Sequence, residues 1–322
     1  MAKLKDVAKA ADVSPATVSN ALNNRKNVSR ETKERILRLC KEMDYVPNPA
    51  GRSLKSGNTH TILVNLSDFD RQFYLELIHG ISDYVDAHNY DMIICTSRSY
   101  EKFMTHTLTC GSIIIDLRCS NDFLKKKAAG GYPIVTLDRE LNVPNIRSVL
   151  VDNYTAEAEL AEGLYTKGYR RFAFLAGPET DDTVTRYQAL SDVLEKYGLF
   201  VQREDYYTGD FREKSGTRAA KLIMLARTLP DVLVCANDNM AVGAIRAFRE
   251  GGIRVPEDIA VCGFDNTEMA KELRLTTVDI PNYERGYLAA QALIENVNGA
   301  MNFDTFQIAT KVVWRTTTRG PA

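Results

Sequence analysis

Beyond residue 60, short apolar runs alternate with stretches in which apolar residues recur every three to four positions. The runs at 61–66, 92–95, 113–115, 134–137, 149–151, 172–175, 232–235 and 259–262 predict strands, and the stretches at 73–87, 156–166, 187–197 and 240–250 predict amphipathic helices. Such alternation predicts a parallel sheet covered by helices. Eight or more strand–helix units over about 260 residues allow either one barrel or two doubly wound lobes.

The first 46 residues follow a different pattern. Leu4, Val7, Ala8 and Ala11 have the spacing of an amphipathic helix. A second helix opens at Ser14-Pro15, a good N-cap followed by a proline whose missing N–H is no loss at the first helical position. Val18, Ala21 and Leu22 form its narrow apolar edge. Ser29 caps a third helix, whose apolar face is Ile36, Leu37, Cys40 and Met43. Three short helices with a tight turn between the first two match a helix-turn-helix, whose second helix lies in the major groove. That helix presents Ser14, Pro15, Ala16, Thr17, Ser19, Asn20 and Asn23. Asparagine pairs with an adenine edge, and small hydroxyls suit phosphate.

Charge strengthens this reading. Residues 1–57 carry 12 Lys/Arg and 6 Asp/Glu, whereas the rest carries 29 and 36. A basic head on an acidic body is the footprint of a phosphate-binding module. Other chemistry is scarce. The six cysteines (40, 95, 110, 119, 235 and 262) have no Cys-x-x-Cys spacing, and the four histidines (60, 79, 88 and 106) have no metal spacing. Reduced, buried thiols are expected, and no metal or cofactor. There is no Gly-x-Gly-x-x-Gly after a strand, no Gly-x-x-x-x-Gly-Lys-Ser/Thr and no Gly-x-Ser-x-Gly, which argues against an enzyme. No long apolar run and no signal peptide is present, so a cytoplasmic location with no membrane contact is expected.

Several motifs carry a family resemblance. Leu4-Lys5-Asp6-Val7-Ala8, Val13-Ser14-x-x-Thr17-Val18-Ser19-x-Ala21-Leu22-Asn23 and Tyr45-x-Pro47-Asn48 occur in order in the head. Leu137-Asp138-Arg139, Val151-Asp152-Asn153, Ala236-Asn237-Asp238-x-Met240-Ala241, Gly263-Phe264-Asp265 and Leu275-Thr276-Thr277-Val278 extend the pattern through the body. The chain resembles the LacI/GalR family of repressors. Asn20 departs from the arginine or histidine of many members, which changes the expected operator but not DNA binding.

The resemblance implies a fold and a division of labour. An all-α helix-turn-helix head (1–46) and a hinge (47–58) precede an α/β periplasmic-binding-protein-like body of two doubly wound lobes (59–322). The first lobe takes about 59–152 and 281–310, and the second about 153–280 and 311–322. In the hinge, Leu54 takes the role of a minor-groove wedge, while Arg52 and Lys55 touch phosphates. Gly51, where relatives carry alanine, weakens a hinge helix. The implied function is a homodimeric, ligand-switched regulator reading a pseudo-palindromic operator. Its effector is a sugar or sugar derivative bound between the lobes. The rival is a cytoplasmic small-molecule (sugar) binding protein without a regulatory role.

Polar residues after strand ends suit such a cleft. They include Asp68 and Asp70, Asn237-Asp238, Asp265-Asn266, and Arg186 at the opening of a helix after Gly177-Pro178. The resemblance assigns effector contacts to Arg186, Asn237 and Asp265, stacking to Phe211, and first-lobe contacts to Phe73 and Tyr74. Plainer roles stand beside these: Asp238 as a helix cap, Asp152 as a tie on the crossover strand, Phe211 as core. Residues 98–110 are short for the family, so the first lobe's second helix is expected to be trimmed. No heptad tail follows the last strand, so a tetramer built on one is not expected.

Overall fold

The computed structural model describes residues 2–22, 27–45, 59–300 and 305–319. The chain forms two compact units, Met1–Thr59 and His60–Ala322.

In the first unit, helices α1 (Leu4–Ala10), α2 (Pro15–Leu22) and α3 (Arg30–Glu42) enclose Val7, Ala8, Ala11, Val18, Ala21, Ile36 and Cys40. The serines act as caps. Ser14 Oγ accepts from Thr17 N at 3.1 Å, and Ser29 Oγ accepts from Thr32 N at 3.2 Å. Asp12 turns the chain between α1 and α2 with φ of 50°. The α2 edge is narrower than the periodicity predicts, because Leu22 is only partly buried.

The second unit contains two six-stranded sheets. The first five strands are β1 (Thr61–Leu66), β2 (Asp91–Thr96), β3 (Gly111–Ile115), β4 (Ile134–Thr136) and β5 (Ile146–Val151). Between them lie α4 (Phe73–Ala87), a single turn α5 (Tyr100–Phe103) and α6 (Asn121–Ala129). That single turn is the trimmed helix expected from residues 98–110. The chain then crosses through α7 (Asn153–Thr166) to β6 (Phe172–Ala176), α8 (Asp181–Lys196), β7 (Tyr206–Thr208), α9 (Glu213–Met224), β8 (Val232–Cys235), α10 (Asp238–Glu250), β9 (Ala260–Asp265), α11 (Glu268–Glu272) and β10 (Thr276–Asp279). It returns through α12 (Asn282–Val297) to β11 (Phe306–Ile308) and crosses once more to β12 (Lys311–Val313).

Strand order is β11-β5-β4-β3-β1-β2 in one sheet and β12-β10-β9-β8-β6-β7 in the other. All pairs are parallel except β12 on β10. In each sheet the order reverses beside the first strand, between β1 and β3 and between β6 and β8. Crevices for ligands open beyond the strand carboxyl ends at such points. Helices cover the sheets, and Phe172, Phe174, Phe248 and Phe264 anchor the larger core.

Strands β7, β10, β11 and β12 carry no clear sequence signal because each is short and broken by polar or exposed positions, whereas the equally short β4 and β8 lie in buried, mostly apolar runs. Helices α7 and α8 begin earlier than their apolar periodicity. Asp152 caps the first by accepting from Thr155 N, and Thr180 caps the second by accepting from Thr183 N. Arg186 therefore lies in the second turn of α8, not at its opening. Asp152 is itself a cap. Asp238 is not, since Asn237 caps α10 instead. No disulfide joins the six cysteines, and all but the half-buried Cys110 are buried.

Candidate functional site: the cleft of the body

A cavity of about 380 Å³ lies between the two sheets, within the range of small-molecule sites. Its walls are strand ends and the loops beyond them. Ser67 and Asp68 follow β1, Asp116 and Arg118 follow β3, and Asp138 follows β4. From the second sheet come Pro178 and Thr180 after β6, Asn237 after β8 and Asp265 at the end of β9. The crossing segments add Val151, Ile280, Asn282 and Arg285.

Arg186 is held rigidly. Its Nε donates to Asn153 Oδ1 at 2.8 Å, its Nη1 donates to Ala236 O, and its guanidinium lies 3.6 Å from the Phe264 ring centroid. Nη2 makes no hydrogen bond to a described residue. Asp265 faces the same cavity with φ of 118°. A non-glycine residue in that region is strained, and such strain collects at functional positions. No described residue hydrogen-bonds its carboxyl group. Burial pushes that group up to about 8; Arg186 opposes the shift and Asp238 adds to it. Asp238 lies behind the wall, accepting from Thr267 N (2.8 Å), Thr267 Oγ1 (3.2 Å) and Thr277 Oγ1 (2.6 Å). Burial raises it to about 7 against those donors.

Phe211 lines the cavity and also packs into the second lobe's core. Its backbone has φ of 65°, and Asn237 Nδ2 donates to its carbonyl at 3.1 Å. The Arg71 guanidinium lies 4.8 Å from the Phe211 ring centroid, so a first-lobe cation covers a second-lobe ring. Arg212 spans the cleft as well, 3.0 Å from Asp70 and 3.7 Å from Asp68.

Five of the seven expected effector residues therefore line one cavity: Phe73, Arg186, Phe211, Asn237 and Asp265. Two do not. Tyr74 is buried in the first-lobe core, with its hydroxyl 2.7 Å from Ser67 Oγ. Asp70 forms the ion pair with Arg212. Sequence reasoning missed Arg71, Asp182, Asn282 and Arg285. Of these, only Asn282 and Arg285 had a cue, their place just after the crossing near residue 280.

In the head, Thr17, Ser19 and Asn20 are half-buried, while Ser14, Pro15 and Ala16 are exposed. Ser14 Oγ and Thr17 Oγ1 lie 2.9 Å apart. Asn23, Arg52, Leu54 and Lys55, with the hinge, lie outside the described residues. Among the described residues no cluster of metal-ligating side chains occurs, and no helix is long and apolar enough to cross a membrane.

A helix-turn-helix unit followed by a two-lobed body with a polar cleft defines a ligand-responsive transcriptional regulator. Residues 3–48 match the model for bacterial regulatory proteins of the lacI family, and residues 161–318 match a periplasmic binding protein-like domain. The chain is 32% identical over 311 residues to the HTH-type transcriptional repressor CytR of Escherichia coli (strain K12), covering 92% of this chain and 90% of the relative. The Lac repressor dimer bound to operator and the anti-inducer ONPF superposes with a TM-score of 0.80 at 25% identity, covering 99% of each chain. The CelR–cellobiose complex does so with a TM-score of 0.72 at 27% identity, covering 98% of this chain and all of that one. The chain belongs to the lacI family of bacterial regulatory proteins.

Proposed function

We propose that this regulator is a homodimeric repressor whose hold on a pseudo-palindromic operator is switched by a sugar or sugar derivative in the body cleft, with no catalytic step. Residues 1–46 read the operator. The hinge at 47–58 places Arg52 and Lys55 on phosphates and Leu54 in the minor groove. Residues 59–322 sense the effector. Carrying this reading is the unpartnered Asp265 carboxyl in a cavity shared by two lobes. A buried polar group without a partner is costly, and a ligand hydroxyl supplies the missing donor. Effector binding changes the angle between the lobes and so, by a coupling free energy, DNA affinity. The α2 side chains Pro15, Ala16, Thr17, Ser19 and Asn20, with Ser14 and Asn23 at its ends, are the operator-facing set.

Fluorescence anisotropy with labelled operator DNA tests both halves. Affinity should fall linearly with log salt as counterions return to the phosphates. Asp265→Ala should keep wild-type DNA affinity and lose the effector response. A full response in that variant would place the effector elsewhere. Salt-independent DNA binding would favour the rival, a binding protein without a regulatory role.

A further inference from the structure

Asn282 begins α12, where the chain re-enters the first lobe, and it lines the cleft cavity. It is 1% exposed, yet neither its Oδ1 nor its Nδ2 has a hydrogen-bond partner among the described residues. Buried amides are normally paired, and each exception calls for an explanation. Nothing in the helix cap uses this one, because α12 has no side-chain capping bond.

Charge restricts what can satisfy it. Five arginines and five aspartates line the cavity, and most are already committed. Arg118 is paired with Asp116, Arg212 with Asp70 and Asp68, and Arg285 with the carbonyls of Val149 and Leu137. Arg186 is bound to Asn153 and Ala236. Arg71, stacked on Tyr74 and Phe211, is the lining arginine with neither a carboxylate nor a carbonyl partner among the described residues. A phosphate dianion needs several free charged donors. Here it would meet only Arg71 and the single free Nη2 of Arg186, in the same small cavity as the unpartnered Asp265.

We infer that Asn282 reads the effector, and that the effector is an uncharged molecule carrying a hydrogen-bond donor and an acceptor side by side. Vicinal hydroxyls of an unphosphorylated sugar and the edge of a nucleobase share this chemistry. The amide takes both groups at once, Nδ2 donating and Oδ1 accepting. This inference rests on the cleft being the effector site. It adds a residue and a charge class to that reading.

The test uses the full chain in thermal unfolding and calorimetric titration. The probes are ribose, cellobiose, adenosine and cytidine, with ribose 5-phosphate and adenosine 5′-monophosphate as charged counterparts. The variants are Asn282→Leu and Asp265→Ala. Without ligand, Asn282→Leu should raise Tm by about 2–4 °C, because it removes two unpaired polar atoms at nearly constant volume. With the compound that stabilises wild type, affinity should fall at least about tenfold, as when a matched hydrogen-bonding pair is lost. Sugars and nucleosides are told apart by which of them binds.

A lower Tm for ligand-free Asn282→Leu would show the amide is already satisfied and would overturn its role as reader. Unchanged affinity in Asn282→Leu would do the same. Tighter binding of either phosphate ester than its uncharged parent, or no stabilisation by any of the four neutral compounds, would overturn the ligand class. Loss of binding in Asp265→Ala but not in Asn282→Leu removes this inference alone, whereas binding retained in Asp265→Ala removes the cleft reading itself.

Discussion

Glu157 lies in α7 with no solvent exposure, and neither carboxyl oxygen has a hydrogen-bond partner among the described residues. Burial pushes its carboxyl up to about 8, opposed only by the charge of Arg186. Because the folded value lies above the unfolded one, the folded protein holds this proton while an unfolded chain has lost it. The group's contribution is therefore most favourable below the ordinary glutamate range and declines as pH rises toward about 8. Glu157→Gln should raise stability at pH 8 by on the order of 1–3 kcal/mol and leave it nearly unchanged at pH 4.5. Urea unfolding at the two pH values measures this, and an equal gain at both would exclude the proton linkage. Legibility at this scale followed the backbone. Asp265 and Arg186 were readable because they sit in motifs tied to a strand end and the helix beyond a strand. Tyr74 was misread because neighbours on a helix point in different directions: Phe73 lines the cavity, and Tyr74 turns into the core. The lack of partners around Glu157 and Asn282 depends on residues distant in sequence, so no pattern announces it.

Helices α4 and α12 cross at two glycines. A Cβ on Gly80 would lie 1.9 Å from the Tyr283 carbonyl oxygen, and one on Gly286 would lie 2.0 Å from that of Leu77. Both obstacles are backbone, so relief needs the helices to separate. Gly80→Ala should cost about 1–3 kcal/mol despite alanine's better helix propensity, since overpacking outweighs that gain. A rise in chemical stability for this variant would show the crossing is not tight. Sequence periodicity placed α4 at 73–87, the range observed, because a long amphipathic repeat has one reading. It did not reveal which helix α4 would meet. The short strands β7, β10, β11 and β12 were equally silent, because three or four residues broken by polar positions give neither a period nor an apolar run.

The two lobes of the body touch through charge as well as through the crossing segments. Arg212 reaches Asp70 and Asp68, and Lys271 lies 3.8 Å from Glu76 on the opposite lobe. Both pairs are substantially exposed, and exposed pairs are weak and screened by salt. Arg212→Ala should therefore speed effector release by only about two- to fivefold at low salt, matching ~0.5–1 kcal/mol, with the difference vanishing at high salt. Stopped-flow dissociation at two ionic strengths checks this. A salt-independent effect would assign Arg212 a direct role in the cavity. The two-lobed division was legible from strand–helix alternation together with family motifs; alternation alone left the barrel open. What resolves it is the path of the chain, which passes between the sheets after β5, after β10 and after β11.

That threefold passage makes the lobes separate in space but interleaved along the gene. No single protease cut in a connecting strand can release one lobe from the other. A recombination event that exchanges one contiguous stretch cannot transplant a lobe, because each lobe is written in two stretches. Changes in effector preference must then accumulate residue by residue at the cleft, on a frame that is inherited whole.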